Sequence, residues 1–222
     1  MSGSLFQQET LDIIVSEGIE TVLVNAGFKR ARKFTWTRDT NELVHVVALS
    51  KRRDTYGVQW GIVSEEATRF LWGQSPKRID VGDSVMSGTP ASIRHPAPFQ
   101  TFQLESINDP ERIQTLVSSI SADMHVVEVR MACFQTRHEL KSYLLENRNA
   151  KDRRDFVIPA NLPLKLYTAA VLAVIDQDSD AVNLVEEADA GLSKFRDRIN
   201  RERIARLRAA LDNVNKSSTN RP

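Results

Sequence analysis

The chain has 222 residues, of which 41% are hydrophobic and 27% charged, and its nine Gly and eight Pro exclude low-complexity or collagen-like sequence. Thirty basic against 29 acidic residues leave a net charge of +1, so no global field draws the chain to nucleic acid or membrane and any such contact needs a local patch. The single Cys133 excludes an internal disulfide and a cysteine-based metal site, and no apolar run reaches the roughly 18 to 20 residues of a membrane span.

The chain opens on the polar Met1-Ser2-Gly3-Ser4 rather than a signal-like segment, and a cytoplasmic protein is expected. Leu11, Ile14, Val15, Ile19, Val22, Leu23 and Ala26 recur at helical spacing, and Gly27 follows where a left-handed cap belongs. The period then changes. Phe34, Trp36 and Arg38 alternate with polar neighbours, Asp39-Thr40-Asn41 supplies turn chemistry, and Leu43 to Leu49 is apolar except for His45, which predicts a β-hairpin. Val58, Trp60 and Ile62 alternate as a third strand of an antiparallel meander. Ser64 caps a short helix that carries Glu65 and Glu66 in its first turn and ends with Phe70, Leu71 and Trp72.

From Gly73 to Pro98 the pattern dissolves among Pro76, Pro90, Pro96 and Pro98, with only Ile79 to Val81 strand-like, and a mobile insertion is expected. Phe99 to Glu105 supplies a fourth strand. Asn108 or Asp109 before Pro110 marks a helix start. Ile113, Val117, Ile120, Met124, Val127, Met131 and Phe134 then form a heptad seam of roughly six turns, which predicts the central helix. His138 to Leu145 continues as a short helix, and Asn147 to Asp155 reads as a polar connector and boundary. Leu164, Tyr167, Val171, Leu172 and Ile175, then Val182, Leu184, Val185 and Ala188, mark a helical hairpin. A last helix covers about Ser193 to Val214, with Ile204, Leu207, Leu211 and Val214 on one seam.

The first helix ending in Ala26-Gly27-Phe28-Lys29-Arg30, a strand with Phe34 and Arg38, an apolar strand running into Ser50-Lys51-Arg52-Arg53, and Tyr56-Gly57-Val58-Gln59-Trp60-Gly61-Ile62 resemble the bacterial domain of unknown function 4304. The likeness runs in order over residues 5 to 63 and more loosely over the central helix and helical end; residues 73 to 98 carry no motif of it. It implies a small, soluble, bacterial α+β protein and transfers no activity or catalytic residue.

Charge is the strongest local feature. Lys29, Arg30, Arg32, Lys33, Arg38, Lys51, Arg52 and Arg53 meet only Asp39 and Glu42 between residues 29 and 53, a local net charge of +6. At strand ends beside Phe34, Trp36, Tyr56 and Trp60, they suit an acidic partner or a single-stranded nucleic acid. The solvated edge is the stronger reading of these residues taken alone, because aromatics alternating on a strand are usually core and Lys and Arg keep edge strands from pairing. A second asymmetry places six acids and no base in residues 176 to 190, then seven bases and two acids in residues 193 to 208. Mutual pairing of Glu186, Glu187 and Asp189 with Lys194, Arg196 and Arg198 is expected. The alternative is an arginine face of Arg196, Arg201, Arg203, Arg206 and Arg208 that grips an acidic protein or nucleic acid.

Catalytic signatures are poor: there is no Walker loop, Gly-x-Gly-x-x-Gly, Gly-x-Ser-x-Gly or His-Glu-x-x-His. His45 reads as a core histidine, and His125 and His138 lie 13 residues apart. His95 and the pair Asp80 and Asp83 are what an enzyme would have to use on the long loop. Asp123 with Glu128-Val129-Arg130 resembles the acid set of some metal-dependent nucleases, but on a helix Glu128 and Arg130 fall about 200° apart. Cys133, beside the seam, reads as a buried structural thiol.

The sequence therefore predicts an α+β fold: an antiparallel sheet of about four strands packed by an N-terminal and a central helix, with a C-terminal helical hairpin. Residues 1–150 would form this domain with its loop at 73–98, residues 156–215 a helical extension packed on it, and residues 216–222 a frayed tail. The expected function is a non-catalytic, accessory or immunity-like interaction module binding an acidic protein through Lys29, Arg30, Arg32, Lys33, Arg38, Lys51, Arg52, Arg53, Arg201 and Arg208. Nucleic-acid binding with Trp36 or Trp60 exposed is the alternative, an enzyme built on the 73–98 loop a further one, and homodimerisation through the heptad seam stays open. No cofactor, metal ligand set or catalytic residue is assigned.

Overall fold

The apolar stripe of the N-terminal segment forms one continuous helical rod with a change of pitch inside it. In this computed structural model, which describes residues 2–76, 78–93, 101–104, 107, 109–148, 162–195 and 197–219, helix α1 (Ser2–Ile13) passes through a π-helical turn (Ile14–Glu20) into α2 (Thr21–Asn25). Leu11, Ile14, Val15, Ile19, Val22 and Leu23 are all buried, and Gly27 has the positive φ of 84° expected after a helix C-terminus.

The fold is α+β, with a six-stranded antiparallel sheet in the order β1 (Lys29–Arg32), β2 (Thr35–Asp39), β3 (Val44–Arg52), β4 (Thr55–Val63) and β5 (Met86–Gly88), and with β6 (Thr101–Phe102) also paired to β4. The predicted four strands become six for two reasons. β1 is a short edge strand, exposed along most of its length, so it shows no apolar alternation to read. β5 lies inside the expected mobile insertion, where Val85 and Met86 are buried and residues 86–88 pair with Trp60, Gly61 and Ile62. The strand-like Ile79 to Val81 instead leads into a 3-10 turn at Val81–Asp83. Of the predicted strand at 99–105, only Thr101 and Phe102 pair, while Phe99, Gln100 and Glu105 lie outside the described residues.

Trp36, Val47 and Trp60 stand in register across β2, β3 and β4 and project to one face. That face packs under the N-terminal rod and helix α5 (Pro110–Ala132), capped by Asp109, whose carboxylate accepts from the Arg112 amide at 2.9 Å. The whole heptad seam from Ile113 to Phe134 is buried within the single chain. On the other face Ser84 sits directly against Gly61, the Val81–Asp83 turn is adjacent, and the backbone carbonyl of Ile79 accepts from Arg32.

Helix α3 (Glu65–Trp72) starts at Ser64, whose hydroxyl accepts from the Ala67 amide, and stops at Gly73 with φ 72°. Helix α4 (Pro90–Ile93) rests on α5. Helix α6 (Arg137–Glu146) has a reciprocal cap between Thr136 and Glu139. The expected hairpin is present as α7 (Leu162–Ile175) and α8 (Ala181–Leu192), followed by α9 (Arg198–Thr219). Helix α9 continues past Asn215, where fraying was expected; residues 220–222 and most of the connector, 149–161, lie outside the described residues.

Candidate interaction surface and adjoining cleft

The sheet separates the predicted basic residues into two groups. Arg30, Arg32 and Arg38 are engaged by groups of the chain itself, Arg38 half-buried and Arg30 and Arg32 lying against the surface. Arg30 pairs with Glu20 at 3.2 Å and lies 5.6 Å from the Trp36 ring, and Arg32 binds Asp80 at 3.1 Å and the Ile79 carbonyl at 2.6 Å. Arg38 contacts Glu128 at 3.3 Å, donates to the Ala26 carbonyl at 2.9 Å and covers the Phe28 ring at 4.7 Å. These three pin β1 and β2 to the rod, to α5 and to the 79–80 segment. Lys29 stands exposed at the other end of β1, opposite Thr37, where a short, bulged, cationic edge resists pairing with another strand.

Lys33, Lys51, Arg52 and Arg53 form the second group. Phe34 accepts at its carbonyl from the Leu49 amide and Lys51 pairs across to Tyr56, which places the β1–β2 and β3–β4 turns at one end of the sheet. All four are exposed, and among the described residues none pairs with a carboxylate. Lys33 and Lys51 lie over the rings of Phe34 and Tyr56 at 5.1 and 5.4 Å. Arg53 occupies the first central position of a two-residue hairpin loop with φ 57°, a conformation normally given to glycine.

The aromatics beside this end are not a stacking platform. Trp36 and Trp60 are 0% and 2% exposed, and their indole N–H groups are directed to Glu20 and to the Thr89 carbonyl. The structure therefore removes the exposed tryptophans on which a base-stacking site would depend.

His45 is a core histidine, as its strand position predicts. The Phe134 carbonyl, 2.6 Å from Nε2, can only accept, and the Arg38 guanidinium, 3.0 Å from Nδ1, can only donate. These partners fix the neutral tautomer with hydrogen on Nε2. Burial, reinforced by the Arg38 charge and opposed by the Phe134 contact, lowers its pKa to about 4. Such a group is a structural link, and its charge cannot take part in binding at neutral pH.

The C-terminal arginines pair differently from the expected register. Arg208 binds Asp189, Arg148 binds Glu187 at 3.4 Å, and Arg198 binds Glu202 at 2.6 Å along its own helix; Arg196 lies outside the described residues. Arg201 and Arg208 line a cleft of about 620 Å³ between α8 and α9 with Asp189, Leu192 and Ile204. Arg206 donates to the Phe70 carbonyl and so ties α9 to α3.

The acids considered for catalysis or metal binding are scattered. Asp80 and Asp83 cap the same 3-10 turn, and burial, with Asp80 nearby, raises the Asp83 pKa against a lowering hydrogen bond from the Asp80 amide. Glu128 serves Arg38, Arg130 lies over the Tyr143 ring at 5.8 Å, and Asp123 faces a different cleft. Among the described residues no group of three potential metal ligands occurs, and His95 is outside them. Cys133 is exposed rather than buried: it follows the last turn of α5, and its thiol turns back to the Val129 carbonyl.

Sequence reasoning missed a cleft of about 380 Å³ between β4, β6 and the N-terminal half of α5. Val58, Phe102, Leu116 and Ile120 give it apolar walls, Arg112 lies among its lining residues, and the 4% exposed Asp123 forms part of its wall. The signal was a second stripe on α5, Arg112, Leu116, Ser119 and Asp123, at three- and four-residue spacing beside the heptad seam. The cleft adjoins the basic end, since Phe102 stacks on Tyr56 at 5.5 Å and Tyr56 carries the Lys51 ammonium.

No family model, curated protein or solved structure matches the chain. Among the described residues no helix is long and apolar enough to cross a membrane.

Proposed function

We propose that the chain is a non-catalytic interaction module that engages an acidic protein through the hairpin end of its sheet. The observation that carries this reading is the division among its basic residues: Arg30, Arg32 and Arg38 are internally engaged, whereas Lys33, Lys51, Arg52 and Arg53 are exposed together without an ion-pair partner among the described residues. Clustered cations of this kind attract an acidic surface and orient it during encounter. The resemblance to the domain of unknown function 4304 family adds no activity, so the reading rests on geometry and charge. Burial of Trp36 and Trp60 favours a protein partner over single-stranded nucleic acid.

Reversing the charge of Lys51, Arg52 and Arg53 to Glu tests this reading, with Lys29→Glu as the control at the far end of β1. In nuclease-treated lysate of the source cells, the unaltered protein should retain an acidic protein that the triple variant loses and the control keeps. Affinity should fall at least about tenfold, equivalent to about 1.4 kcal/mol. Equal retention by the triple variant refutes the surface, and retention that nuclease abolishes reassigns it to nucleic acid.

A further inference from the structure

We infer that the cleft between β4, β6 and α5 receives an apolar side chain of the same acidic partner, so that the ligand is an acidic segment with an embedded aromatic or large aliphatic anchor. The inference rests on the proposed basic surface and specifies what that surface recognises. Three observations carry it. First, Val58 and Ile120 are buried and Leu116 and Phe102 half-buried around an open volume of about 380 Å³, which a single large side chain can enter.

Second, charge is distributed along the approach to the cleft. Lys51 lies on the same sheet face as Tyr56 and Val58, its ammonium 5.4 Å from the Tyr56 ring, and that ring stacks on Phe102 in the cleft wall. The cations at the hairpin end therefore lead into an apolar wall, and Arg112, paired with Asp109 at 3.3 Å, lies among the residues that line the cleft.

Third, the interior discourages an anion. A carboxylate or phosphate pushed into the cleft would give up its hydration against the apolar side chains of Val58, Phe102, Leu116 and Ile120, so the acidic groups of the ligand stay outside and only an uncharged side chain enters. A flipped base is a poorer fit, because Phe102 is the one aromatic ring among the described lining residues and already stacks on Tyr56.

Two synthetic Glu-rich peptides of equal length and charge, one with a central Phe and the other with a central Gly, separate the two parts of the reading. Fluorescence anisotropy with the full chain should show the Phe peptide binding roughly tenfold more tightly. Lys51→Glu/Arg52→Glu/Arg53→Glu should weaken both peptides. Thr115→Trp on the exposed rim, or Ser119→Phe in the lining, should bring the Phe peptide to the level of the Gly peptide, with melting curves confirming that each variant folds. Equal binding of both peptides by the unaltered protein overturns the cleft and leaves the basic surface standing. Failure of both peptides overturns both readings, and binding of an oligothymidylate instead assigns the surface to nucleic acid.

Discussion

His45 shows how one side chain sets a pH limit on the fold. Its folded pKa of about 4 lies below the ordinary 6.5, so between those values the unfolded chain holds a proton that the native chain does not. Stability is therefore complete above the unfolded pKa and declines as pH falls from 6.5 toward 4, by up to roughly 3 kcal/mol from this group. His45→Gln should be less stable by about 1 to 3 kcal/mol near neutral pH, having lost its contacts to Arg38 and Phe134, and should show a flatter dependence below neutrality. Denaturant titrations at about pH 7 and pH 4.5 check both effects, and an unchanged slope would remove His45 as the cause. Arg53 presents the opposite case, an exposed residue held in a backbone conformation that favours glycine. Arg53→Gly should raise stability by about 0.5 to 1 kcal/mol and weaken binding of the acidic peptides, because it relieves the backbone and removes a cation together. A variant that gains both stability and affinity would show that Arg53 does not belong to the surface.

At the scale of elements, β4 and the segment leading to β5 approach each other closely at Gly61 and Ser84. A Cβ on Gly61 would lie 1.9 Å from the Ser84 hydroxyl and 2.8 Å from its Cβ, so Gly61→Ala forces the 79–85 segment off the face. The expected loss is about 1 to 3 kcal/mol, and Ser84→Gly should recover much of it, since the buried Ser84 hydroxyl has no hydrogen-bond partner to lose. Thermal melts of the single and double variants measure the coupling, and simple additivity would refute the contact. This contact also explains what the sequence could not display. The rod, β2 to β4, α3, α5 and the C-terminal hairpin were legible because each buries a regular apolar stripe. β1 was not, being exposed along most of its length, and β5 was hidden among prolines and glycines because its three residues are defined by pairing with β4. The basic cluster was legible as composition, but not its division: only register reveals that Arg38 points under α5 while Lys51 points past it. The cleft was invisible for the same reason, since Phe102 and Leu116 meet only after β6 docks.

Across the whole molecule, the helical C-terminal region is joined to the sheet by charge as well as packing. Arg137 on α6 binds Asp176 after α7 at 2.6 Å, Glu66 on α3 at 3.6 Å and Glu42 between β2 and β3 at 3.8 Å. Buried Lys141 binds Asp178 and also Asp180, at 3.3 Å, in the turn before α8. Five carboxylates thus surround two cations at the end of β3 opposite Lys51 and Arg52, which gives the nearly neutral chain an acidic end and a basic end. On the proposed reading, an acidic partner would be steered toward the hairpin end, and its association rate should fall with ionic strength more steeply than its dissociation rate rises. The same network bears on folding. The Tyr167 hydroxyl donates within hydrogen-bond distance of both the Phe70 and Arg203 carbonyls, so α7 joins α3 to α9, and burial lifts its pKa to about 12, leaving it protonated throughout the physiological range. With these links intact, the sheet and the C-terminal helices should unfold in one transition despite the polar connector between them. Arg137→Ala leaves Glu42, Glu66 and Asp176 without their shared cation and should lower stability by about 1 to 3 kcal/mol. Calorimetry of the unaltered chain decides the first point, because two resolved transitions would make the helices a separable unit. The Arg137→Ala variant decides the second: a melting temperature equal to that of the unaltered chain would show that packing alone holds the two regions together.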